Sequence, residues 1–388
     1  MTIFKKILYL GFAVMMAVSM FSCEREESED YVDVMEEQAR EHYAEGRRLF
    51  LTCDPNNYPE ALDQFQRALG YDEDHAGALA GWAEATSMYF GFFLPEDKFQ
   101  EAYMKAQRSI RLDPKSDMGY RAMADLYRHH RNPETGEFDT GFGRDVIERA
   151  LAINPDSAEN LYVKGSLFLA EDPARARDIL IRGRQANPNL GKTYFNLASA
   201  YQHLADRIIA EYKDDPEALK QRREEINKNY GQAAELLSTY QELVPGDIGG
   251  YCAQGIIYVR MNEFDKAEKA FQKTVSVHPD PDPSLIRWTM LAYVHLAQIE
   301  EDQRQDLEGA ESYLELALKQ VPRNLEVLHH LYRINKLQED TEKTADYEKM
   351  IKEIVEAQKN RMRQMQEQQE KKREAERPQT EDSSTASP

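Results

Sequence analysis

Cysteine is nearly missing from this sequence: there are three in 388 residues. So small and odd a set cannot staple a disulfide scaffold, and no two of the three stand at the C-x-x-C spacing of a zinc or redox pair. Glycine is thin as well, with 19 residues, and it nowhere forms the G-x-x-x-x-G-K-[ST] loop that cradles phosphates. G-x-S-x-G and H-E-x-x-H are absent, which removes the nucleophile elbow and the helical zinc site. Basic charge is short: 49 Lys and Arg against 69 Asp and Glu leave a net charge of −20. Without a one-sided basic stripe, such a chain repels phosphate backbones, so nucleic acid is not an expected partner. The nine histidines include two adjacent pairs, His129 with His130 and His329 with His330. Helical neighbours point about 100° apart, so neither pair chelates as an i, i+4 pair does. The expectation is a protein that is not an enzyme, with no catalytic residues, metal or cofactor.

What the sequence does contain starts at its first residues. Lys5 and Lys6 precede the uncharged run "ILYLGFAVMMAVSMF", which is followed by Ser22 and Cys23. This is the layout of a secretory signal, and the run falls short of the ~20 residues of a bilayer span; an uncleaved anchor is the alternative. "MFSC" resembles the lipobox of bacterial lipoproteins, departing from it at Met20, where that motif prefers leucine. The resemblance implies cleavage before Cys23, lipid on its thiol and a place in a bacterial cell envelope, the outer membrane favoured over the inner. The other reading of Cys23 is an ordinary thiol. The acids of "EREESED" read as a solvated tether.

From residue 35 onward one pattern recurs: a helical stretch with a small residue in its middle, a turn, a second amphipathic stretch, then a proline. The clearest copy is "YCAQGIIYVRMNEFDKAEKAFQKTVSVHP". It resembles the tetratricopeptide repeat, with Tyr251, Gly255, Tyr258, Ala267, Phe271 and Pro279 on that motif's slots and Gln254 where it prefers leucine. About eight copies are present, the first and last degenerate. Gly165, Ala198, Gly255 and Ala292 are expected where paired helices approach to about 8–10 Å, with Leu180, Leu237, Phe271 and Leu314 filling the space beside them. The resemblance implies an all-α, right-handed superhelical solenoid ending in a long helix. The expected layout is a signal peptide over 1–22, a tether over 23–34, the solenoid over 35–350, a charged helix over 351–377 and a disordered tail over 378–388.

Three segments depart from the repeat. The fifth copy carries 23 extra residues around "KDDP", which read as a lengthened hairpin over 204–230, either a docking arm or a tolerated elongation. The stretch 131–143 reads as a long inter-helix loop, because it lacks the D-x-D-x-D-G spacing of a calcium loop. Tyr89, Phe90, Phe92, Phe93 and Phe99 read as local core at an enlarged turn, or else as an exposed patch. Cys53 and Cys252, in the first and sixth copies, would lie ~90 Å apart in a straight stack at ~9 Å per helix, so both are expected free.

In the resembled family the first helix of each pair lines an inner groove that binds a protein or peptide. By that register the groove residues are Tyr43, Arg47, Phe50, Arg121, Asp125, Arg128, Tyr162, Phe195, Gln202, Arg260 and Tyr293. The expected function is that of a non-catalytic scaffold or adaptor, membrane-anchored through lipid on Cys23. The alternatives are an assembly or pilot factor for an outer-membrane or secretion complex, and a solute-binding transport accessory, which would need a closed pocket instead of an open groove.

Overall fold

The computed structural model describes residues 33–132, 135–277 and 285–375. The signal segment, Cys23, most of the acidic tether and the tail from 378 lie outside the described residues. Seventeen helices follow in order: α1 (33–51), α2 (Tyr58–Tyr71), α3 (Ala76–Phe90), α4 (Glu96–Leu112), α5 (Met118–His129), α6 (Thr140–Ile153), α7 (Ala158–Ser166), α8 (Pro173–Ala186), α9 (Gly191–Glu211), α10 (Pro216–Gln221), α11 (Arg223–Leu243), α12 (Ile248–Arg260), α13 (Phe264–Val277), α14 (Ile286–Ile299), α15 (Leu307–Gln320), α16 (Leu325–Leu337) and α17 (Thr341–Ala375). They form two compact units, divided between Leu285 and Ile286. Six hairpins make the first unit and two make the second.

Local chemistry sets the helix starts. The side chains of Ser157, Asp172, Asp215, Asp247 and Asn324 each accept a bond from a free backbone N–H in the first turn of the following helix. Each satisfies a donor the helix cannot pair internally. Pro173 and Pro216 sit in the first turn, where the missing N–H costs nothing.

Small residues then set how closely the paired helices lie. A Cβ on Gly165 would fall 2.5 Å from Leu180 Cγ, and one on Gly255 would fall 2.6 Å from Phe271 Cε1. Leu180 and Phe271 are fully buried. In the second unit Leu314 packs with Val294, Val327 and Leu331 in one buried cluster.

The first unit curls back on itself. Cys53, just after α1, belongs to the same buried cluster as Leu190, Tyr240 and Val244, and Asn56 Nδ2 donates to the Gly246 carbonyl at 3.3 Å across 190 residues of sequence. The straight-stack separation of ~90 Å for Cys53 and Cys252 is therefore wrong, although both are buried and neither is in a disulfide. The cause lies in the first helices of the pairs. Residues 77–87 of α3, "GALAGWAEATS", are buried on every side, so the small inner helices sit closer than the outer ones and each hairpin adds rotation.

Other expectations are also revised. The stretch 131–143 is not all loop: an antiparallel bridge joins Arg131 to Phe138, and α6 begins at Thr140. The aromatic group divides, with Phe99 buried and Phe93 68% exposed. The fifth hairpin is lengthened, as the insertion implied: α9 and α11 run 21 residues each, and α10 lies at their tip. The last helix runs unbroken from Thr341 to Ala375, so the boundary at 351 does not mark an element.

Candidate functional site

Five successive inner helices aim side chains at one cleft in the first unit. Helical spacing selects them: Arg47 and Phe50 on α1, Glu84 and Met88 on α3, Arg121, Asp125 and Arg128 on α5, Glu159 and Tyr162 on α7, and Lys192 in the first turn of α9. The enclosed space between them is about 20 Å³, room for roughly one water. Phe50, Leu51, Met88, Tyr162, Val163 and Leu190 supply most of its wall.

A network of ion pairs forms one side. Arg47 donates to Glu84 at 2.9 Å and grips both oxygens of Glu159 at 2.8 and 2.7 Å. Arg121, itself 3% exposed, bonds Glu84 through Nε, reaches Glu159 at 3.4 Å and lies 3.5 Å from Asp117. Asn160 bridges to Asp117 at 2.7 Å. Farther along α5, Arg128 donates to the Tyr162 hydroxyl at 2.9 Å and lies 2.8 Å from Asp125. That last contact is an ion pair without hydrogen-bond alignment, since Asp125 Oδ1 and Arg128 Nε are both buried and unbonded.

Electrostatics follows from this pairing. Burial alone would lower Arg47 and Arg121, but Glu84 and Glu159 outweigh it and hold both above the usual guanidinium range. Burial pushes the Glu159 carboxyl up, yet Arg121 and Arg47 together bring it down to about 2. Burial raises the Tyr162 hydroxyl to about 12 against the opposing charge of Arg128.

Lys192 differs from the arginines. It is 7% exposed, and its ammonium sits 3.7 Å from the centre of the Phe50 ring, 5.3 Å from Tyr58 and 6.0 Å from Tyr162. It contacts ring faces without a carboxylate partner. Burial lowers its pKa, only partly opposed by Cys53, Asp125 and Glu84.

Next to the cleft, Ser87 Oγ lies 3.0 Å from His129 Nδ1 and donates to the Asp125 carbonyl at 3.0 Å. Ser87 is fully buried, so its hydroxyl is not presented as a nucleophile. Burial, reinforced by Arg128, drops His129 to about 3 and keeps it neutral. No group of three or more His, Cys, Asp and Glu among the described residues could hold a metal ion.

The structure brings together six of the eleven groove residues read from the sequence: Arg47, Phe50, Arg121, Asp125, Arg128 and Tyr162. They do not line an open groove, however; inside the curled unit Arg47 and Arg121 bond Glu84 and Glu159, Arg128 pairs with Asp125 and Tyr162, and Phe50 lies beneath Arg47. The other five lie elsewhere. Tyr43 packs on Phe65 and His75 and donates to Met118 Sδ at 3.2 Å, and Phe195 meets Tyr240 edge-on. Gln202 bonds Asp206 at 3.5 Å, Arg260 is exposed at the end of α12, and Tyr293 stacks on Tyr313 in the second unit. Sequence reading missed Glu84, Glu159 and Lys192. Glu84 carried a usable signal, a lone acid inside a run of small and apolar residues, whereas Glu159 looked like an ordinary first-turn acid.

The tetratricopeptide repeat family's model matches residues 252–324. No curated protein matches the sequence. Among solved structures, a monomeric IFIT1 mutant with Gppp-AAAA aligns with a TM-score of 0.61 at 18% identity, covering 87% of this chain and 80% of that one. The human IFIT1 dimer with m7Gppp-AAAA aligns with a TM-score of 0.56 at 17% identity, over 77% of this chain and 68% of that one. These likenesses are of fold. Taken with the eight helical hairpins of the described residues and the small residues between them, they show a tetratricopeptide-repeat-like fold, in which residues 252–324 match that family's model.

Proposed function

We propose that the protein is a non-catalytic binding scaffold for a protein or peptide partner, held at a bacterial envelope membrane by lipid on Cys23. The observation that carries the scaffold reading is the repeat fold itself, which stacks hairpins into extended side-chain surfaces suited to binding. The anchor rests on the sequence alone, on "MFSC" after an apolar run. The capped RNA in the IFIT1 structures is not transferred: a chain of net charge −20 repels phosphates, and each arginine of the cleft is already paired.

Two experiments on the intact protein test this reading. Fatty-acid labelling of the expressed chain should mark the wild type and spare Cys23→Ser; equal labelling, or none, removes the anchor. Crosslinking in native membranes should recover one reproducible partner whose yield falls in the Cys23→Ser variant. Solute capture is not favoured, because the cleft enclosed by the inner residues of the first unit has room for roughly one water.

A further inference from the structure

The net charge of −20 hides a local reversal at the end of α17: between Lys359 and Arg373 the sequence carries six bases and two acids. The helix begins packed. Tyr347 lies against the buried cluster of the second unit, and Ile354 is 7% exposed. Beyond Val355 every described side chain is exposed, Met362 at 61%. Residues 356–375 thus extend as a helix for ~30 Å.

Charge on this extension is sorted by face. At 100° per residue, Glu356, Glu367, Glu370 and Glu374 fall within one arc of about 60°. The opposite face takes positions 358, 361, 362, 365, 369 and 372, which are Gln, Arg, Met, Met, Gln and Lys, with no acid among them. It continues the face of Tyr347, Ile351 and Ile354 beyond the reach of α16, against which α17 packs.

Charge also decides what can cover that face. A second copy, paired in either direction, would set bases at 361 and 372 against bases, which destabilises a helix pair. An anionic surface is the complement. Position 372 stands ~25 Å along the helix beyond Val355, about three screening lengths of ~8 Å from the packed part of the second unit. Acids there do not cancel its attraction.

We infer that the 356–375 end of α17 is a docking surface for an anionic lipid bilayer, along which it lies with Met362 at the headgroup boundary and its bases towards the lipid phosphates. One acyl chain holds a protein reversibly, and a basic patch supplies the second signal that makes attachment lasting. The inference deepens the membrane part of the proposed function and rests on it for the choice of a bilayer over other polyanions.

The test is flotation of the full-length Cys23→Ser chain with vesicles of phosphatidylglycerol and phosphatidylcholine in equal parts, and with vesicles of phosphatidylcholine alone. Partition onto the anionic vesicles should be the greater, and high salt should abolish the excess. Lys359→Gln, Arg361→Gln and Arg363→Gln together should cut partition onto the anionic vesicles by about a hundredfold, about fivefold for each base. All three residues are exposed and glutamine keeps their helix propensity, so circular dichroism and melting point should match the parent chain. The same loss of charge at the exposed Arg67, Arg111 and Lys115 should leave partition unchanged. Equal partition onto both vesicles, no effect of the α17 substitutions, or an equal effect of the control substitutions would each overturn the inference. So would displacement from the vesicles by single-stranded RNA at equal phosphate concentration, or self-association that the α17 substitutions abolish. Fatty-acid labelling reads the anchor separately. A labelled wild type without anionic preference sinks this inference alone, whereas an unlabelled one with that preference removes the anchor and leaves the docking surface.

Discussion

At the scale of single residues, the cleft shows why an inner-face register can name the right side chains and still misjudge their surroundings. Arg47, Arg121 and Arg128 were legible because helical spacing and the repeat pattern put them on one side of their helices. Their burial was not, since it depends on pairs such as Arg47 with Glu159, 112 residues apart in sequence, which no local periodicity encodes. The pairing has a testable cost. Glu84→Gln leaves Arg47 and Arg121 short of a buried partner and should destabilise the first unit by about 3–5 kcal/mol; urea unfolding that matches the wild type would refute this. His129 sets a pH dependence. Its pKa falls from 6.5 to about 3 on folding, so the unfolded chain binds the proton first as pH drops. Its contribution is therefore complete above pH 6.5 and is lost progressively towards about pH 3. Melting curves across that window should be flatter for His129→Gln than for the wild type, and parallel curves would contradict the assignment.

The elements themselves were the most readable level. Hairpin pairing followed from the recurring small residue and its bulky neighbour, as Gly165 with Leu180 and Gly255 with Phe271 show, because both members lie within one repeat. Element ends were harder to read: "TGFG" at 140–143 looks like a turn by composition yet begins α6, where packing of Gly143 against Leu167 and Tyr127 outweighs its poor helix propensity. The fifth hairpin illustrates a separable element. The side chains of Lys213 to Gln221 around α10 are exposed or half-buried, and none belongs to the fully buried core. Leu219 alone among them packs, half-buried, against the main cluster, so replacing these residues by a short glycine-serine turn should cost about 1–2 kcal/mol, the burial of one partly covered side chain. A loss of several kcal/mol on thermal unfolding would show that the tip is packed against something essential.

At the scale of the whole molecule, two units were not foreseen from a repeat that reads continuously through residue 285, and neither was the curl of the first. Small rotations per hairpin leave no mark in any one repeat and emerge only when they accumulate. Thiol chemistry reads the curl directly. In a Cys23→Ser chain, Cys53 and Cys252, at 2% and 0% exposure, should give no reaction with a thiol reagent when native and two equivalents in guanidinium; rapid native reaction of Cys53 would show that the contact with the α9 start and the 244–247 turn is open. The bond from Asn56 to the Gly246 carbonyl has a further consequence for cooperativity. A linear repeat array behaves as a one-dimensional chain of nearest neighbours that frays from its ends. Joining the first hairpin to the turn between α11 and α12 gives that hairpin neighbours on both sides. Amide exchange in α1 should then be nearly as slow as in α7.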